Sequence, residues 1–222
     1  MARKSIAAAG VIATVAGFAS AGPITATFTA DNHYAIFTRS HNTFSLVGGN
    51  ETGASGSTGG YNWSAAETHL FDATGWVYIA AWSDKSVAQG LIGQLTTASE
   101  TILSGDLRWD VLSTGVDRTT GDPYPTVAEM TSWVLAGDDE YAWESPHIGG
   151  ANGLAPWGTI AGVSGTARWM WRNSEEVSNP LLGGNDHGEL LIFRIPVSAI
   201  PAPGPIALAG LGGLMLARRR RS

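Results

Sequence analysis

The sequence predicts an all-β fold, an antiparallel β-sandwich with a jelly-roll-like arrangement of strands. Short runs of β-branched and aromatic residues recur along the chain, and polar turn segments separate them. Several of these runs alternate apolar and polar residues with a period of two, as expected for half-buried strands. The chain also has 29 glycines, many of them between the runs. Many short strands joined by glycine-rich turns are typical of sandwiches and jelly rolls.

The first strands are predicted between residues 24 and 47. Three runs, 24–30, 34–38 and 43–47, are separated by the polar segments 31–33 and 39–42. In the first run the threonines alternate with Ala, Phe and Ala, which indicates a strand with two different faces. Three closely spaced strands favour an antiparallel sheet.

The centre of the chain predicts three more strands, 67–71, 76–82 and 90–95. In the run 76–82 one face carries Trp, Tyr, Ala and Trp, and the other face carries Val, Ile and Ala. Both faces are apolar, so this strand is expected to be central, with other elements packed on each side. Trp76 and Trp82 are therefore interpreted as structural.

The second half of the chain is less regular. Residues 96–103 predict a short helix, and 107–112 predict a strand. Residues 116–125 and the glycine-rich stretch 146–156 predict loops, whereas 126–136 fits either a helix around 127–133 or a strand. The last strands are predicted at 167–172 and 189–197.

The N-terminus predicts a secretory signal peptide, a short helix within residues 1–21. Arg3 and Lys4 precede an apolar run, and small residues stand at the two positions that a signal peptidase recognises, Ala19 and Ala21. Gly22 is the expected first residue of the mature protein, and the β-sandwich domain is expected to span residues 22–199.

The C-terminal segment 200–222 has three parts. Three prolines separate it from the domain, a run of twelve Ile, Ala, Leu, Met and Gly residues (206–217) predicts a short hydrophobic helix, and four arginines follow. Arginines of this kind stay on the cytoplasmic side of a membrane. At ~1.5 Å per residue the helix reaches only about 18 Å, short of the ~30 Å hydrocarbon core. The segment therefore predicts transient membrane insertion, and an ordinary transmembrane anchor is the alternative.

This segment resembles the PEP-CTERM sorting signal of exported bacterial proteins. The resemblance rests on the proline motif, the apolar helix and the arginine cluster, that is, on Pro201, Ala202, Pro203, Gly204, Arg218, Arg219, Arg220 and Arg221. Ala202 stands where the family has Glu. The resemblance implies an exosortase-type membrane enzyme as a partner, processing near the proline motif, and a location at the cell surface or outside the cell.

Residues 24–95 also resemble exported β-sandwich modules found with such signals. The resemblance rests on Ala-Asp-Asn-His-Tyr at 30–34 and on the run from Trp76 to Asp84. It implies the fold and no activity.

Charge and cysteine content exclude several functions. Two of the 13 basic residues lie in the signal peptide and four in the C-terminal segment 200–222, which leaves seven in the β-sandwich domain. All 19 acidic residues lie in that domain, so its formal charge is −12. Nucleic acid and anionic membranes are not expected as partners, because both need a basic surface. The chain has no cysteine, which excludes disulfides, thiol catalysis and cysteine-ligated zinc.

No catalytic motif is evident. The five histidines lack the H-E-x-x-H spacing, and Ser164 lies in a sequence that departs from G-x-S-x-G at its last position. The carboxylates Asp31, Asp138 and Asp139 lie in polar segments that suit a bound calcium ion, with solvated loop charge as the alternative.

Nine tryptophans are the strongest compositional signal. Trp63, Trp143 and Trp157 lie in predicted loops beside polar residues, where an indole ring can contact a sugar; packing or pinning of the loops is the alternative. Trp63 and Trp157 are expected to lie free of the core.

These observations predict an exported, non-enzymatic protein of the cell surface or extracellular matrix. A module that binds carbohydrate, such as exopolysaccharide, is the alternative, and an extracellular hydrolase is the third interpretation.

Overall fold

The computed structural model describes residues 22–50, 63–85, 88–119, 121–173, 177–183 and 188–197. This part of the chain contains one α-helix, α1 (Val127–Asp139), and eleven strands, which confirms the all-β prediction. The strands are β1 (Gly22–Asp31), β2 (His33–Ser40), β3 (Thr43–Gly49), β4 (Glu67–Ala73), β5 (Gly75–Trp82), β6 (Gly90–Thr96), β7 (Thr101–Leu103), β8 (Asp110–Asp117), β9 (His147–Ala151), β10 (Arg168–Trp171) and β11 (Glu189–Val197).

The predicted targeting segments fall outside the described residues. These include the leader with Ala19 and Ala21, the motif from Pro201 to Gly204, and the arginine cluster 218–221. Within the described residues, no helix is both long enough and apolar enough to cross a membrane.

The strands form two antiparallel sheets, as the sequence predicts. Sheet I has the order β4-β1-β6-β10-β9, with β7 paired to β6, and sheet II has the order β3-β2-β5-β11-β8. Several successive strands alternate between the sheets, so β1 belongs to sheet I, β2 to sheet II, β4 to sheet I and β5 to sheet II.

A large apolar core lies between the two sheets. Sheet I contributes alternate residues of β1, among them Phe28, and sheet II contributes residues such as Ile79 and Phe193. The opposite face of β1 carries threonines, and Thr27 Oγ1 lies 3.0 Å from Thr68 Oγ1 of β4. The predicted period of two in this strand is therefore confirmed, because one face of β1 is apolar core and the other is polar.

A second core covers the other face of sheet II. Trp82 and Tyr78 of β5 pack there with Met130 and Val134 of α1. Because β5 has residues in both cores, its two apolar faces are explained, and Trp82 is structural as predicted. Trp76 is partly buried against this second core.

The structure resolves the choice between helix and strand at 126–136 in favour of α1. Thr126 caps the helix: its side chain accepts a bond from the backbone of Glu129, and the carboxylate of Glu129 accepts one from the backbone of Thr126 at 2.7 Å. This reciprocal pair satisfies two backbone donors that a helix start leaves free.

Three local predictions are wrong. No helix forms at 96–103: Thr96 ends β6, residues 97–100 form a turn in which Thr97 N bonds to the carbonyl of Glu100, and β7 then pairs back with β6. The strand predicted at 107–112 begins at Asp110, because 107–108 belong to the preceding turn. The stretch 146–156 is not all loop, since β9 pairs with β10.

Candidate ligand pocket

The outer face of sheet I is covered by the segment 152–167. Asn152 holds this segment together: its Nδ2 donates to the carbonyls of Ile160 and Val163 at 3.0 and 2.9 Å, and its Oδ1 accepts from Ile160 N at 2.7 Å. Ser164 N then donates to the side chain of Gln94 in β6 at 2.9 Å. These hydrogen bonds hold the segment 152–167, which has no strand or helix pattern in its sequence, in place over the outer face of the sheet.

Trp157 anchors one end of this cover. Its ring is only 7% exposed and stacks on Trp169 of β10, with centroids 4.0 Å apart. Its Nε1 donates a 2.7 Å hydrogen bond to Oδ2 of Asp31, at the end of β1. The expectation that Trp157 lies free of the core is therefore wrong, because the ring packs against one sheet residue and bonds to another.

The Asp31 carboxyl is largely enclosed beneath this ring. Burial raises the pKa of Asp31, the bond from Trp157 opposes that effect, and the neighbouring Asp84 raises the pKa further. Asp31 thus has a role in positioning the indole, which sequence alone did not show.

A pocket of about 300 Å³ opens beside Trp157. Strand β9, the turn at residues 155–157 and the segment 178–182 surround it, and its apolar lining consists of Gly149, Gly150, Ala155, Pro156, Trp157, Leu181 and Leu182. Three polar side chains complete the lining, those of His147, Ser178 and Asn179. No Asp, Glu, Lys or Arg is among these described residues, so this part of the lining carries no formal charge when the histidine is neutral.

The wall formed by Leu181 is held rigidly. Gln89 N donates to the carbonyl of Leu181 at 2.9 Å, and Gln89 Nε2 donates to the carbonyl of Pro180 at 2.6 Å. On the other side, a Cβ on Gly149 would lie 2.0 Å from Leu181 Cδ1. Gly149 is therefore required here, because only glycine allows the leucine to approach the strand so closely.

The imidazole of His147 is half-buried in the pocket and has no hydrogen-bond or ion-pair partner within the part of the chain that the structure describes. Burial lowers the pKa of His147 below its ordinary value of 6.5, which favours the neutral form of the ring. Asn179 Oδ1 accepts a hydrogen bond from Leu181 N at 3.2 Å. The Nδ2 of Asn179 has no hydrogen-bond partner among the residues that the structure describes. The pocket thus offers a neutral imidazole, an amide donor and the Ser178 hydroxyl.

The other two tryptophans proposed as sugar contacts lie elsewhere. Trp63 is 36% exposed, and its carbonyl accepts a 3.0 Å bond from Thr29 Oγ1. Trp143 is half-buried against the second core; its Nε1 donates to Asp138 at 2.9 Å, and the Arg194 guanidinium lies 3.9 Å from its ring centroid. Neither ring lines the pocket, and Trp63 is the one with an exposed surface.

The structure separates the predicted calcium ligands. Asp31 ends β1 in sheet I, whereas Asp138 lies in α1, where Arg39 and Arg194 bind its carboxylate at 3.0 and 2.7 Å. Asp139 is exposed beside it. Over the described ranges, no three His, Cys, Asp or Glu side chains group closely enough to hold a metal ion.

Sequence reasoning missed the polar residues of the pocket. His147 and Asn179 are 32 positions apart in the chain, and neither belongs to a motif. The one local feature near His147 is the pair of glycines in β9, and their presence led to the prediction of a loop at 146–156 and not of a pocket wall.

Comparisons with known protein families, with curated proteins and with solved structures found no significant match to this chain.

Proposed function

We propose that this protein is an exported, non-enzymatic β-sandwich of the cell surface or extracellular matrix, sorted through its PEP-CTERM-like tail. The observation that supports this is the position of the fold within the chain. The described strands lie between Gly22 and Val197, that is, between the predicted cleavage site and Pro201. The sheets thus occupy the stretch between the two targeting segments.

The proposed route follows from the two ends of the sequence. The leader helix directs export and is removed after Ala21, and the apolar helix 206–217 then enters the inner membrane with its arginines on the cytoplasmic side. An exosortase-type enzyme cuts near Pro201–Gly204 and releases the domain to the surface. The jelly-roll-like connectivity and the two flanking helices belong to this proposal.

Intact-mass measurement of protein extracted from the cell surface tests the route. We expect a mass that lacks residues 1–21 and the arginine cluster. A variant with Pro201 and Pro203 replaced by Ala serves as the comparison and is expected to keep the tail and stay in the membrane fraction. A wild-type mass that retains Arg218–Arg221 would show that the tail is an anchor.

Carbohydrate binding is a second candidate function, and the pocket beside Trp157 favours it. Pockets of about 300 Å³ are at the lower end of the range for small-ligand sites, and this one presents polar and apolar groups in similar measure. A neutral exopolysaccharide suits a domain with a formal charge of −12 better than a polyanion does. Retardation in an affinity gel that contains a neutral polysaccharide, with the same gel lacking it as the reference, tests this function.

A further inference from the structure

The pocket has polar groups that the fold itself does not use. The imidazole of His147 is half-buried in the pocket and has no hydrogen-bond partner among the described residues. Asn179 is exposed at the edge of the same pocket, and its Nδ2 group has no partner among those residues either. Both groups are therefore available to bond to a ligand.

The chemistry of these groups indicates what that ligand carries. A neutral imidazole has one N–H donor and one acceptor nitrogen, the Asn179 amide donates, and the Ser178 hydroxyl does both. Hydroxyl groups are matching partners, because each one both donates and accepts. Among the described lining residues, no charged side chain is present to pair with a carboxylate or an ammonium group.

The rest of the lining indicates size and shape. Pro156 and Leu182 are exposed and provide an apolar surface, whereas Trp157 and Leu181 are almost fully buried behind it and Leu181 packs over Gly149. The rim combines both kinds of group, since Leu182 is 51% exposed and the polar residues Ser178 and Asn179 are exposed as well. A pyranose ring has an apolar C–H face and hydroxyls at its edge, and one such ring fits within about 300 Å³.

We infer that this pocket binds one neutral sugar residue, with His147 and Asn179 bonding to its hydroxyls and with Pro156, Leu182 and the edge of Trp157 contacting its apolar face. The inference rests on the proposed carbohydrate-binding function and assigns it a site. The residue comes either from a free monosaccharide or from a neutral polysaccharide, and the two share the same chemistry. The exposed ring of Trp63 is not part of this site.

Calorimetric titration with glucose, galactose and mannose, and affinity gels with dextran, galactomannan and xylan, test the inference. Glucuronate serves as the charged counterpart. The variants are His147→Ala and Asn179→Asp, the second of which keeps the oxygen that caps Leu181 and removes the amide donor. His41→Ala, at an exposed histidine far along the chain from the pocket residues, is the matched control.

We expect at least one neutral sugar to bind, and each pocket variant to weaken binding about tenfold, the usual effect of losing one ligand hydrogen bond. His41→Ala should bind as the wild type does, and glucuronate should bind more weakly than glucose. If both the free hexose and the polysaccharide bind, a free sugar is sufficient for binding. If only the polysaccharide binds, the pocket recognises a sugar unit within a polysaccharide chain.

Two results would overturn the site, and they differ in what they say about function. If a polysaccharide retards the wild type and both folded pocket variants equally, while Trp63→Ala loses retardation, carbohydrate binding stands and the site is elsewhere. If no sugar or polymer of the panel binds at concentrations on the order of 10 mM or more, carbohydrate binding itself fails. If His147→Ala does not fold, the comparison of Asn179→Asp with the wild type alone tests the site.

Discussion

At the scale of single residues, Trp157 and Trp63 show how one side chain takes two roles in similar local sequence. Both follow glycine-rich or proline-containing segments. Trp157 is stacked on Trp169 and bonded to Asp31, whereas Trp63 has more than a third of its surface exposed. The difference arises from residues far away in the chain and predicts opposite effects of mutation.

Trp157→Ala is expected to lower the free energy of unfolding by about 3 to 5 kcal/mol, because it removes a packed ring and leaves a cavity on the sheet. Trp157→Phe keeps most of the packing and loses the bond to Asp31, so a smaller loss of about 1 to 3 kcal/mol is expected. Trp63→Ala, as the control, should change stability by roughly 0.5 kcal/mol or less. Urea unfolding measures all three, and equal losses for Trp63 and Trp157 would contradict the assignment.

His33 is one of the residues that give stability a pH dependence. It is fully buried, stacks on Trp82 with centroids 5.0 Å apart, and burial lowers its pKa to about 4, although Asp84 raises it. Because the unfolded chain binds a proton at its ordinary pKa and the folded state does not, His33 makes stability fall as the pH decreases from about 6.5 to about 4.

The variant His33→Phe tests this dependence, since phenylalanine keeps an aromatic ring on Trp82 and does not titrate. We expect the melting midpoint of the wild type to fall more steeply than that of the variant between pH 6.5 and 4. His41→Phe, at an exposed position, controls for the general loss of a histidine. Parallel curves for wild type and His33→Phe would contradict the prediction.

At the scale of elements, α1 matters because it covers the outer face of sheet II. Its capping box fixes where the helix begins, and Gly137 allows close contact with β8: a Cβ on Gly137 would lie 2.7 Å from Leu112 Cδ2. The helix is also tied to the sheet through Asp138, which binds Arg39 of β2 and Arg194 of β11.

Removing the cap is expected to destabilise the protein moderately. Thr126→Ala leaves the backbone N–H of Glu129 without its side-chain partner and should cost about 1 kcal/mol. Ser132→Ala, an exposed position in the middle of the same helix, is the matched control and should be neutral or slightly stabilising. Chemical denaturation of both variants checks the difference, and a loss at Ser132 equal to that at Thr126 would argue against the cap.

At the scale of the whole molecule, the domain carries a formal charge of −12 without a single disulfide. Self-repulsion at such a charge destabilises a compact state, and salt reduces it by screening. Of the three predicted calcium ligands, Asp139 is the exposed one, while Asp31 and Asp138 are bonded to other side chains.

Salt is therefore expected to raise the melting midpoint, and calcium is proposed to raise it further. Melting curves in EDTA, in sodium chloride and in calcium chloride at the same ionic strength separate screening from binding, because only an ion that binds the folded state adds stability by mass action. A midpoint that is higher in calcium than in sodium supports a calcium site. Equal midpoints in the two salts would show that calcium does not stabilise the folded protein by binding to it.

The amino-acid sequence by itself determined the strands whose pattern is local. In β1 and β5 the period of two gives both the strand and its buried faces, and in β11 the apolar run gives the strand. Such patterns can be read because a strand places successive side chains on opposite faces whatever lies around it. The composition also predicted the antiparallel sandwich, but it did not predict which element covers each sheet.

Tertiary structure decided the remainder. Strand β9 contains two glycines and has little strand propensity of its own, so it exists because β10 pairs with it. Trp157 is buried because Asp31, 126 positions away, accepts its hydrogen bond, and His147 becomes a pocket residue only when the segment around Asn179 lies opposite β9. Contacts across such separations leave no periodic trace in the sequence, since they depend on how whole strands and loops pack and not on the residues beside them.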